Sequence, residues 1–128
     1  MIATVCILVS AITFYSCRQD KGKLVVNCKT PTTVSFANDI QPIFQKNCAT
    51  AGCHSAPNPA ANLNLDAAVA YAQITFPGKG YVDTINPTAS LLHSQMISTS
   101  DPMPPTGLLS VCTSSLILKW IEQKAKKN

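Results

Sequence analysis

The sequence predicts a small all-α protein: about four short helices joined by long loops. Three observations carry that reading. Four segments set apolar side chains three and four residues apart, behind a capping residue or an early proline. The stretches between them are punctuated by proline, glycine and asparagine, with nine prolines in the chain. Strand signals are weak throughout.

The elements follow in order. Asn38 with Gln41 three residues later reads as a helix start with a capping-box partner. Pro42 then falls in the first turn, where a missing amide donor costs little. This helix is predicted to reach about Asn47 and to bury Ile40, Ile43 and Phe44. Residues 55–62 form a Pro/Ala/Asn loop, and a second short helix covers residues 66–73. Pro77, Gly78 and Gly80 mark a turn. Asn86 caps a third helix with Pro87 at its first position, running to about Ile97. Residues 99–109 are a loop with Pro102, Pro104, Pro105 and Gly107. Ser110 caps the last helix, where Cys112, Leu116 and Trp120 share one face and Ile117 and Ile121 widen it. No internal repeat is visible.

Such an architecture has a thin core. The chain is 128 residues long, 46% apolar and 12% charged. Much of the apolar content sits in residues 1–16; without them the apolar share is roughly 42%, ordinary for a soluble domain. Beyond residue 16 the aromatic side chains are Phe36, Phe44, Tyr71, Phe76, Tyr81 and Trp120. Short helices around so few large side chains need disulfides, a metal or a cofactor to complete the interior.

The formal charge of +4 is placed at the ends. Arg18, Lys21, Lys23 and Lys29 precede the domain, and Lys119, Lys124, Lys126 and Lys127 close it. Between residues 30 and 118 only Lys46 and Lys79 stand against Asp39, Asp66, Asp83 and Asp101. A nucleic-acid binder carries a basic stripe on its folded body, and none is present here. Solvation, or attraction to anionic headgroups near a membrane anchor, accounts for the basic ends.

Residues 1–16 read as a secretory signal peptide. An apolar run beginning Ile2-Ala-Thr-Val-Cys-Ile-Leu-Val ends in Ser16-Cys17, and the chain turns polar at once with Arg18, Gln19, Asp20 and Lys21. This resembles the lipobox of bacterial lipoproteins, which implies diacylation of Cys17 and a lipid-anchored protein of the cell envelope, facing the periplasm. Simple secretion with Cys17 left over, or an uncleaved anchor, are the other readings. All three place the domain where disulfides are permitted. Residues 17–33 are then a polar tether and residues 34–128 the domain.

The central motif is Cys48-Ala-Thr-Ala-Gly-Cys53-His54. Two thiols followed directly by histidine is the arrangement that attaches haem c. Each thiol adds across a haem vinyl group, forming a thioether, and the adjacent imidazole lies where it can ligate iron. The commoner spacing has two residues between the cysteines. Here there are four, and the small Ala49, Ala51 and Gly52 allow the excess to loop out. A Cys48–Cys53 disulfide or a share in a zinc site are the alternatives. A structural zinc needs four protein ligands, and the other histidine, His93, is far away in sequence.

The order of helix, Cys/His motif, loops, Met-Pro loop and C-terminal helix resembles the class I mono-haem cytochrome c domain. The likeness is to small lipoprotein cytochromes with an N-terminal FANDIQPIFQKNC helix and a C-terminal helix of the form LS-x-C…W-I. It covers about residues 33–124. It implies a small bundle wrapped around one covalently bound haem c. It also implies that residues 36–48 and 110–124 are two helices crossing near the haem edge, with Trp120 packed near the crossing. Met103, between Pro102 and Pro104, is implied as the distal iron ligand opposite His54; Met96 and His93 compete for that role from a predicted helix. His/Met ligation raises the reduction potential relative to bis-histidine.

With Cys6 in the signal, Cys17 acylated and Cys48 and Cys53 on haem, Cys28 and Cys112 remain. In an oxidising compartment they are most simply a disulfide; two free thiols are the alternative. The implied function is single-electron transfer between transient redox partners, without enzymatic chemistry of its own. Two rivals are kept: an open-site haem enzyme or sensor, and a haem-free, disulfide-stabilised lipoprotein acting as a binding module.

Overall fold

The structure, a computed structural model, describes residues 26–128. The signal peptide, Cys17 and the first part of the tether lie outside the described residues. Within them the chain is helical, with no strand.

The first helix begins three residues before the expected cap. Ser35 is the capping residue: its hydroxyl accepts from the Asn38 amide at 3.2 Å. The reciprocal bond comes from Asp39, whose carboxylate accepts from the Ser35 amide at 2.8 Å. That partner stands four residues on rather than three because the first turn, Phe36–Ile40, is π-helical, closed by Gln41 N–H donating to the Phe36 carbonyl. The widened turn directly precedes Pro42, whose ring crowds the carbonyl four residues back and which donates no bond. The helix continues as α1, Gln41–Asn47. Ile40 and Phe44 are buried and Ile43 is half-buried.

The second helix is shorter than expected. α2 is Ala70–Ile74. Asp66 caps nothing; its side chain reaches back to accept from the Ala56 amide at 3.0 Å and closes the preceding loop.

The expected third helix is broken in two. A 3-10 turn, Pro87–Ala89, stops at Ser90, and α3 is Leu91–Ile97. Ser90 is fully buried, in extended backbone, and its hydroxyl accepts from the Asp83 amide at 2.9 Å. The first amides of α3 are satisfied across the loop: Leu91 donates to the Gly80 carbonyl and Leu92 to that of Tyr81.

α4 is Val111–Glu122, capped by Ser110, whose hydroxyl accepts from the Thr113 amide at 3.1 Å. Ile117, Trp120 and Ile121 are fully buried. The helix ends in a Schellman motif: Lys124 N–H donates to the Ile121 carbonyl and Ala125 N–H to that of Trp120, with Lys124 at φ 70°. The tail then folds back. Trp120 Nε1 donates to the Lys126 carbonyl and the Tyr71 hydroxyl to that of Ala125, both at 2.9 Å. The Asn128 side chain accepts from the Phe36 amide at 2.9 Å.

The core forms where the π turn crosses α4. Phe36 and Trp120 have ring centroids 5.4 Å apart, and Tyr71 meets Phe36 edge-on at 5.0 Å. Phe44 packs edge-on to Phe36 from about two turns further along.

Residues 28–33, expected to be tether, are instead laid along α4 as a strap. Cys28 is disulfide-bonded to Cys112 at the start of α4. Lys119 Nζ lies 3.4 Å from Thr30 Oγ1. Gln123 Nε2 donates to the Thr32 carbonyl at 2.7 Å, and Gln123 Oε1 accepts from the Val34 amide at 2.9 Å. Residues 28–33 are therefore packed against the body.

Candidate functional site

α1 ends at Cys48, which delivers the first thiol of the motif to the edge of the core. The Ala49 amide still bonds back to the Phe44 carbonyl, so the motif springs directly from the helix end. The four intervening residues form a turn in which the Cys53 amide donates to the Thr50 carbonyl at 2.9 Å. Gly52 sits third in that turn with φ 79°, the left-handed conformation that a type II turn requires there. The His54 amide then returns to the Cys48 carbonyl at 3.0 Å. The excess length is thus absorbed by one turn, and His54 is drawn back beneath the first cysteine.

The loop after the motif wraps the imidazole. His54 Nδ1 lies 3.2 Å from the Ala60 carbonyl and 3.2 Å from the Leu63 carbonyl. Both partners are acceptors, so Nδ1 carries the proton and Nε2 keeps its lone pair. Orienting the ring through one nitrogen while the other stays available is how ligating histidines are held. The loop itself is pinned from both sides: Ala60 donates to the Cys53 carbonyl, Leu65 to that of His54, and Gln41 and Gln45 both donate to the Leu65 carbonyl.

Two adjoining cavities open beside this motif, of about 210 Å³ and about 140 Å³. Cys48, His54 and Met103 line both. The larger is walled chiefly by Leu63, Leu65, Ile74, Tyr81, Leu92 and Met96; the smaller adds Cys53 and Pro104. No Lys, Arg, Asp or Glu lines either one. Met103 is brought there by its amide, which donates to the Gln95 carbonyl in the last turn of α3 at 3.0 Å. Met103 and His54, 49 positions apart, thus border one apolar space.

Cys48 and Cys53 are not bonded to each other. Burial, and secondarily the charge of a Cys53 thiolate, pushes the Cys48 thiol up to about 11. It is therefore a neutral thiol at physiological pH, unsuited to activated nucleophilic chemistry. His93 borders neither cavity; its Nδ1 is buried without a hydrogen-bond partner. Met96 lines the larger cavity but is almost wholly buried. Among the described residues no three His, Cys, Asp or Glu side chains gather into a metal cluster.

Residue types alone did not point to the apolar wall or to the carbonyls of Ala60 and Leu63 that hold His54. The wall residues look like ordinary core. The carbonyls belong to a loop whose only sequence mark is its Pro/Ala/Asn composition.

Compared with protein-family models, curated proteins and solved structures, the chain matches none.

Proposed function

We propose that this chain is a mono-haem c-type cytochrome that carries single electrons between transient redox partners at the bacterial cell envelope, anchored by lipid on Cys17. One observation carries the reading: Cys48 and His54 of the motif and Met103, 49 positions beyond His54, line the same two adjoining apolar cavities. An apolar space without charged side chains, lined by an imidazole and a thioether, suits a porphyrin whose iron those two groups would ligate. A structural zinc takes four Cys or His ligands, and the motif supplies at most three.

Cys48 and Cys53 would hold the haem by thioethers, His54 Nε2 would serve as proximal iron ligand, and Met103 as the distal one. When bound, the haem supplies reversible one-electron chemistry. The protein's own part would be to hold the imidazole and the thioether in place and to surround them with apolar side chains. The Ala60 and Leu63 carbonyls fix the imidazole, the Gln95 carbonyl fixes the Met103 backbone, and Leu63, Leu65, Ile74 and Leu92 supply the low-dielectric wall. Partners would dock through a small, short-lived interface.

The test is to express the full chain with a haem-attachment system and to record its spectrum. The reading requires a Soret band and a haem stain that survives denaturing electrophoresis. Purified protein with neither would sink it in favour of a haem-free binding module. Haem present without a sulfur-to-iron charge-transfer band would favour an open-site enzyme or sensor.

A further inference from the structure

Charge and chemistry are segregated in this molecule. The part between residues 30 and 118, which holds both cavities, carries Lys46 and Lys79 against Asp39, Asp66, Asp83 and Asp101. Three of those carboxylates are occupied by backbone amides: Asp39 by Ser35, Asp66 by Ala56, and Asp83 by Ile85 and Asn86. The positive charge lies elsewhere. Lys119 reaches Thr30 of the strap, and Lys29 stands between that contact and Cys28, which is bonded to Cys112 in the first turn of α4. Lys124, Lys126 and Lys127 follow directly on the helix end. Lys124 Nζ donates to the Thr84 carbonyl at 2.9 Å, and Lys127 Nζ stands 5.5 Å from the centroid of the Tyr71 ring. Lys29, Lys124, Lys126 and Lys127 are exposed. The carboxylate side chains near this end are Glu122, the engaged Asp39 and Asp83, the neighbour of Thr84, so the five lysines outnumber them by two.

We propose that this end of the molecule, formed by Lys29, Lys119, Lys124, Lys126 and Lys127, docks on anionic lipid headgroups. The inference rests on the envelope-anchored reading for its geometry, and on charge complementarity for its chemistry. The strap runs back along α4 to Cys112 at the helix start, and the ten residues between Cys28 and Cys17 can span at most about 35 Å. Three of those ten are Arg18, Lys21 and Lys23. An anionic surface attracts lysines within about a Debye length, roughly 8–10 Å at moderate salt, and each one strengthens association about fivefold.

The experiment is an amine-acetylation footprint of the purified full chain, read lysine by lysine by mass spectrometry. It is run on vesicles of phosphatidylcholine alone and of phosphatidylcholine with phosphatidylglycerol. Acetylation of Lys29, Lys119, Lys124, Lys126 and Lys127 is expected to slow several-fold on the anionic vesicles only, and to recover in 1 M salt. Lys46 and Lys79 are internal controls and should be unchanged. Equal rates on both vesicle types, or equal slowing of Lys46 and Lys79, overturn the proposal and leave the basic end to an acidic protein. Replacing Lys124, Lys126 and Lys127 together by Gln should remove most of the salt-sensitive protection. The anchor is scored separately by flotation on neutral vesicles. A chain that does not float there lacks the anchor, while its footprint on anionic vesicles still decides the electrostatic contact.

Discussion

His54 Nδ1 stands 3.2 Å from the carbonyl oxygen of Leu63, nine residues further along, with the Ala60 carbonyl at the same distance. Two acceptors on one nitrogen leave the other nitrogen as the ring's basic atom. In the haem-loaded protein, His54→Ala should therefore retain covalently attached haem through Cys48 and Cys53 but lose the low-spin spectrum. Absorption spectroscopy with a parallel haem stain separates the two effects. Retention of a low-spin spectrum in His54→Ala would assign the proximal ligand to another residue.

Met103→Ala should abolish the sulfur-to-iron charge-transfer band and lower the reduction potential, because a thioether ligand favours the reduced iron. Met96→Leu, which keeps the volume of a buried wall residue, should leave that band intact. Redox titration of the two variants side by side is the check. A band lost in Met96→Leu and kept in Met103→Ala would reverse the assignment.

The strap gives a stability prediction. Cys28 and Cys112 close a loop of 84 residues, which in the chain-entropy model is worth about 4 kcal/mol. Replacing both by Ser should lower the urea midpoint accordingly. Gln123→Ala, which removes the strap's bonds to Thr32 and Val34, should cost about 1–2 kcal/mol. A midpoint unchanged in the double Ser variant would mean that the strap's noncovalent contacts suffice.

Trp120 is fully buried and its indole N–H is paired. Trp120→Ala should cost about 3–5 kcal/mol, and Phe36→Ala a similar amount. Because the rings touch, the double variant should cost less than the sum of the two single ones, a coupling that a double-mutant cycle measures. Strict additivity would place their contributions in separate parts of the core.

In the haem-free chain the Cys48 thiol ionises only at about pH 11, against 9.0 for the unburied group. Below pH 9 the thiol is protonated whether the chain is folded or not, so the group leaves stability independent of pH. Between pH 9 and about 11 the unfolded chain loses this proton first, so stability should fall as pH rises. Urea titrations across that window, compared with Cys48→Ala, test the sign.

How much of this was readable beforehand follows from where each interaction resides. The Ser110 cap and the Trp120 stripe are local, and both were legible. The Cys48–His54 motif was visible as neighbouring residue types, whereas the cavities those residues border with Met103 emerge only in the fold. The pairing of Cys28 with Cys112 was reached by elimination. The start at Ser35 was hidden because the π turn shifts its reciprocal partner to Asp39, outside the usual spacing. The break at Ser90 was hidden because it depends on Asp83, whose position only the tertiary fold sets. The strap read as tether because Thr30 and Thr32 are polar; their partners lie some ninety residues away.

The crossing of Phe36 on Trp120 also sets an order of events. A chain that emerges from its amino end presents the complete 48–54 motif well before Trp120 exists to close the core. The aromatic contact spans 84 positions and belongs to the slow, nonlocal class of folding events. Both thiols of the motif thus precede consolidation of the body, and chemistry at Cys48 has its widest opportunity in the interval before α4 arrives.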